Sequence, residues 1–159
     1  MIPCNIAVRF YLLTFINFAA AYFMLLDSLN GQMGDQVTLL SPKKEFLASS
    51  YLTFSYHMLL NANDSVGALT VYRFTELLAY DMVLFTVQGN QGDGWMWAEV
   101  CIPAGLYRLA FVGTVGLVSL SDIAVDNIFV FENEERCSPS VNGSASPGVV
   151  FVIYIRRYK

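Results

Sequence analysis

Few residues of this 159-residue chain could do chemistry, and their spacing limits what that chemistry is. His57 is the sole histidine. A zinc site needs several nitrogen, sulfur or carboxylate ligands at set spacings, and a hydrolytic triad needs a nucleophile and an acid around the imidazole. Neither pattern surrounds His57, so it reads as a strand histidine with hydrogen-bonded ring nitrogens. Residues 89–94 read GNQGDG, yet no Lys-Ser/Thr pair or helical pattern follows. A phosphate cradle needs both, so this is a turn. It leads into Trp95-Met96-Trp97, where an extended chain puts both indoles on one face. Tryptophans are enriched at binding hot spots and also stack on sugars, which makes Trp95 and Trp97 interaction candidates. They fill sandwich cores equally well, and at least one is expected in the core.

Asp122 and Asp126 stand four apart and share a face of a predicted strand. A hard cation such as calcium takes about 6–8 oxygen ligands. Two carboxylates fall short of that, so they read as strand-end groups capping backbone donors, and no cofactor is expected. The cysteines are Cys4, Cys101 and Cys137. In an oxidising compartment Cys101 and Cys137 could bridge each other. They could equally be one buried thiol and one exposed thiol able to link two chains. Asn63-Asp64-Ser65 and Asn142-Gly143-Ser144 are glycosylation sequons in polar, turn-like stretches.

The elements that must position these residues are strands. Leu52, Phe54, Tyr56 and Met58 alternate with Thr53, Ser55 and His57, the pattern of a half-buried strand. Residues 69–74 and 83–88 follow the same period less cleanly, 98–102 and 107–111 alternate, and 123–131 is a further strand candidate. Turn residues separate them, and residues 76–81 read as a helical turn or loop. Short strands between Gly and Asn/Asp turns imply an all-β, antiparallel sandwich or barrel.

Composition narrows the partners. Hydrophobic residues make up 55% and charged residues 14%, with mean hydropathy +0.49 and net charge −4. That excludes a disordered chain, and it leaves no basic field for nucleic acid. Part of the apolar excess sits in residues 1–21, where a basic start, an apolar run and Ala19-Ala20-Ala21 resemble a signal peptide cut near Tyr22. A buried N-terminal helix or strand is the other reading. Residues 138–148 form a Ser/Pro/Gly linker before the short apolar and basic tail of residues 149–159. That tail is too short to span a bilayer as a helix. The expected domains are thus 1–21, 22–137 and 138–159.

A family resemblance runs through the middle segment. Leu39-Leu40-Ser41-Pro42, Leu52-Thr53-Phe54-Ser55-Tyr56-His57-Met58 and Gly67-Ala68-Leu69-Thr70-Val71-Tyr72 occur in order. Tyr107-Arg108-Leu109-Ala110-Phe111-Val112-Gly113 and Ser121-Asp122-Ile123-Ala124-Val125-Asp126-Asn127-Ile128 complete the series. This resembles the MAM domain of meprins, neuropilins and receptor tyrosine phosphatases. The resemblance implies a jelly-roll-type β-sandwich, extracellular and without catalysis of its own. It implies a role in adhesion, receptor association or oligomer assembly. The partner would be a second copy or another ectodomain, and a membrane would be met only through a parent chain or a retained N-terminal segment. A secreted or cell-surface location follows.

The chain departs from the family at its opening, where a first cysteine and an acidic patch are absent. A family cysteine also corresponds here to Tyr51, while its usual partner corresponds to Cys137. Asn127 stands where the family's late motif offers a second carboxylate. The missing opening strands are expected to leave an uncovered edge through which the sandwich pairs. Two alternatives stand beside the interaction module: a carbohydrate-binding jelly roll, and a truncated fragment of a larger MAM-containing membrane protein.

Overall fold

The computed structural model describes residues 8–13, 21–26, 32–59, 67–76, 79–116, 123–132, 137 and 150–152. Asn63, Asn142 and Asp122 lie outside the described residues. All the described regular structure is strand, in two packed sheets. The first holds β1 (Val8–Leu13), β2 (Ala21–Leu26), β10 (Ile123–Phe131), β5 (Ser50–Met58) and β8 (Met96–Ile102) in that spatial order. The short β11 (Val150–Val152) also pairs with β10. The second sheet runs β3 (Gln36–Leu40), β9 (Gly105–Thr114), β6 (Ala68–Thr75), β7 (Ala79–Gln88), with β4 (Lys44–Phe46) also on β9. Neighbouring strands are antiparallel throughout. The architecture is an all-β, jelly-roll-type sandwich.

Alternation explains which faces meet. Leu52, Phe54, Tyr56 and Met58 of β5 are buried against Tyr107, Leu109 and Phe111 of β9. The Phe54 ring meets Phe111 and Phe85 edge-on, each at 5.2 Å. Each such side chain stabilises the fold by about 1.5–3 kcal/mol through burial.

Three expectations change. Thr53 and Ser55 are buried too, so β5 is not half-buried. It lies between β10 and β8, and the side chains opposite Thr53 and Ser55 include Phe129 and Trp97, large enough to shield small neighbours. Residues 79–81 open β7 instead of forming a turn, because Tyr80 and Ala79 pair with Phe74 and Thr75. The edge expected to be bare is occupied: β2 pairs with residues 123–125 of β10, and β11 with residues 129–131.

β3 and β4 were not legible as strands. They are only five and three residues long, and Ser41 between them docks on β9. The Ser41 hydroxyl accepts the Leu109 N–H at 2.8 Å, its own N–H donates to the Leu109 carbonyl at 2.9 Å, and Arg108 donates to the Ser41 carbonyl at 3.0 Å.

Candidate functional site

The loop of residues 89–95 carries the chain from the end of β7 to the start of β8, from one sheet to the other. Gly89 and Gly92 take φ of 77° and 89°, a region that side chains with a Cβ disfavour. The Asn90 side-chain carbonyl accepts the Gly92 N–H at 2.9 Å, and the Gln91 N–H donates to the Met58 carbonyl at 2.9 Å. The loop is therefore fastened to the end of β5. That brings Asp93 to 3.8 Å from His57 Nε2 and the Trp95 ring to 5.7 Å from the imidazole.

Both tryptophans face outward. Trp95 is 49% exposed and Trp97 57%, which overturns the expectation of a core tryptophan. The inward positions of β8 go to Ala98, Val100 and Ile102. Trp97 points to the outer face of β8, which among the described residues has a neighbouring strand on one side only. Met96 beside it is also exposed.

The row below Trp95 crosses three strands. Ser55 lies opposite Trp97 on one side and Asp126 on the other. Between Asp126 and Phe129, β10 carries a bulge, and Asn127 sits at φ 51°. Such bulges re-aim side chains, and Asn tolerates the left-handed region better than most residues. Asn127 turns its Nδ2 to within 3.4 Å of the Ser55 hydroxyl. Asp126 Oδ1 accepts the Asn127 N–H at 2.7 Å, so this carboxylate is engaged with backbone. Among the described residues, no group of three His, Cys, Asp or Glu side chains could hold a metal ion.

Cys101 and Cys137 form a disulfide with Cα atoms 5.5 Å apart. Cys101 lies directly opposite Tyr51 on the adjacent strand. One inter-strand step of about 4.8 Å therefore separates Cys101 from the position that bears the family's cysteine. Tyr51 instead stacks on Phe131 of β10, with centroids 4.8 Å apart. The cystine is displaced sideways by one strand and still ties β8 to the segment after β10. The Tyr51–Cys101 pairing that places this cystine is absent from a one-dimensional pattern.

A second polar cluster escaped sequence reasoning. Arg73 donates from Nε and Nη2 to the two Asp81 oxygens at 2.9 and 3.0 Å, a bidentate pair. Its guanidinium lies 5.7 Å from the Tyr107 ring centroid. The Tyr107 hydroxyl donates to the Pro103 carbonyl. The hydrogen bond to Asp81 holds the Arg73 pKa above its usual value despite partial burial. Burial pushes the Tyr107 phenol up to about 12, against a smaller opposing pull from Arg73. The one available sequence cue was an Arg on a predicted strand, eight residues before an Asp.

The model of the MAM domain, meprin/A5/mu, matches residues 14–138. The chain belongs to the MAM family. This MAM domain is 35% identical over 120 residues to neuropilin-1 of Xenopus laevis, covering 71% of the chain and 13% of that relative. It is 32% identical over 117 residues to MAM domain-containing glycosylphosphatidylinositol anchor protein 1 of Homo sapiens, covering 71% of the chain and 12% of that relative. The chain thus spans about an eighth of the length of these curated relatives. Among solved structures, a cleaved adhesin domain of Lys-gingipain from Porphyromonas gingivalis superposes with TM-score 0.57 at 16% identity, covering 74% of this chain and 78% of that one. That likeness concerns the fold alone. Among the described residues no helix is long and apolar enough to cross a membrane.

Proposed function

We propose that this MAM domain is an extracellular, non-catalytic interaction module that binds another protein through the face bearing Trp95 and Trp97. The observation that carries the reading is the exposure of Trp97 on a rigid strand, beside a loop fastened to β5. A large aromatic held outward costs solvation and loses little entropy on contact, which is the chemistry of a hot spot. Membership of a family whose relatives include a glycosylphosphatidylinositol anchor protein supports a secreted or cell-surface location.

Binding of the purified chain to a panel of cell-surface ectodomains tests this. Trp97→Ala is expected to weaken binding by about 2 kcal/mol or more, roughly thirtyfold. Equal binding by the two proteins would exclude this face. Binding to a glycan array that survives deglycosylation of the protein would favour the carbohydrate-binding alternative.

Export is proposed to use residues 1–21 as a leader, with a secreted product beginning near Tyr22 and therefore without β1; retention of Met1 on that product would exclude it. Membrane attachment is proposed only through a parent chain or a retained N-terminal segment. Asn63 and Asn142 are proposed to carry glycans, read as a mass loss on glycosidase treatment.

A further inference from the structure

The charges of the sandwich are sorted by sheet. Among the described side chains the cations are Lys43, Lys44, Arg73 and Arg108, on or beside β4, β6 and β9. Each already meets an acceptor. Lys43 lies 3.2 Å from Glu76, Lys44 2.7 Å from Glu132 and Arg73 2.9 Å from Asp81, while Arg108 donates to the Ser41 carbonyl. The outward positions of β8, β5 and β10 hold a different set. Trp97 and Glu99 face outward from β8, Ser55 and His57 from β5, and Asp126 from β10. Asp93 of the loop adds a further exposed carboxylate. The exposed indoles thus stand among Asp93, Glu99 and Asp126, and these positions carry no Lys or Arg.

Two acceptors on this face are not fully used. Asp126 gives Oδ1 to the Asn127 N–H, and its Oδ2 has no partner among the described residues. Thr53 points outward one step along β5 from Ser55, opposite Glu99 and Phe129. It is 2% exposed, and its hydroxyl has no hydrogen-bond partner among the described residues. What such a face lacks is a donor with positive charge.

We propose that this face takes an arginine-bearing basic segment of the partner protein, with a guanidinium laid on the Trp97 indole and Asp93 and Asp126 supplying the opposite charge. The proposal rests on the reading of the chain as a protein-binding module and names the chemistry of its partner. An indole face attracts a cation more strongly than any other side-chain ring. A guanidinium is planar and weakly hydrated, so it stacks on the ring while its five N–H groups still reach a carboxylate or a hydroxyl. An ammonium is a strongly hydrated point charge and does this less well. The net charge of −4 extends the preference beyond the contact. It steers a basic partner in and repels an acidic one, a second copy of this chain included.

The chain has two tryptophans and both lie exposed on this face, so indole fluorescence reports on it alone. A short oligoarginine peptide titrated into the full chain is expected to give a saturable change in emission that weakens as salt rises. Oligolysine of the same length should bind several-fold more weakly, and oligoglutamate should give no change. Read by calorimetry, Trp97→Ala should weaken oligoarginine binding tenfold or more, and so should Asp93→Asn combined with Asp126→Asn. The amide oxygen of Asp126→Asn can still accept the Asn127 N–H, so the bulge should be kept. Glu45→Gln combined with Glu76→Gln removes as many exposed charges beside the other sheet and should leave binding within about twofold. Unchanged emission with oligoarginine, equal binding of oligoglutamate, or equal weakening by the two double variants overturns the proposal. Ectodomain binding that needs Trp97 yet persists in the Asp93→Asn, Asp126→Asn protein also overturns it and leaves the module reading standing. Oligoarginine binding that needs Trp97, with no ectodomain bound by the natural chain, counts against the module reading alone.

Discussion

Tyr107 and Trp97 are both large aromatics on strands of alternating pattern, and they end in opposite conditions. Tyr107 is 2% exposed, stacks on Phe46 at 4.9 Å, lies under Arg73, and has its hydroxyl satisfied by Pro103. Trp97 is more than half exposed. The difference is one of place. Tyr107 points inward from a strand flanked by β6 on one side and β4 on the other, while Trp97 points outward from an edge. One corner of the sandwich pairs the Tyr107 hydroxyl with Pro103 and Arg73 with Asp81, and serves stability. The other holds apolar surface in water and is available for contact.

The strongest attack on this contrast is Tyr107→Ala. It should destabilise the chain by about 4–5 kcal/mol in urea unfolding, since a buried ring, a hydrogen bond and the Arg73 contact go together. A loss below about 1 kcal/mol would remove the closed corner from the account of stability.

Next comes the cystine. Replacing Cys137 with Ser opens a loop of sequence separation 36, which by chain entropy should cost about 3–4 kcal/mol. Unfolding with and without reductant should then differ for the natural chain and coincide for the variant.

Alkaline pH probes the closed corner more gently. The Tyr107 phenol titrates near 10 when unfolded and at about 12 when folded, so the folded chain binds the extra proton between those values. Its stabilising contribution is complete below pH 10 and is lost as pH rises through 12, about 2–3 kcal/mol in all. Stability measured across that window should fall in the natural chain and flatten in Tyr107→Phe.

The smallest effect belongs to the open corner. Trp97→Ala should change stability by less than about 0.5 kcal/mol while ectodomain binding collapses. A large stability loss would make Trp97 a structural residue and erase the contrast.

Much of the fold was legible in one dimension. Period-two alternation located β5, β6, β8 and β9, because a residue's neighbours two steps away share its face whatever the rest of the chain does; β10, buried at Ile123, Ala124 and Val125 in succession, is a strand candidate without clean alternation. β7 was found in its second half only. Its first half is bulged, and a bulge breaks the period that betrays a strand. β3 and β4 are only five and three residues long, and the bonds that Ser41 between them makes to β9 are not local. Of the site, Trp95 and Trp97 were legible as a pair, and their exposure was not.

The order of residue types thus decided the class of the molecule: strands, a sandwich, a MAM domain with few charges and one histidine. Those follow from local periodicity and motif order. Tertiary structure alone decided which strand lies at an edge, which cysteine lies beside Tyr51, and which carboxylate meets Arg73. Each of these depends on strand order and register, set by contacts between residues far apart in the chain. The same fact turns one aromatic into core and leaves another in water.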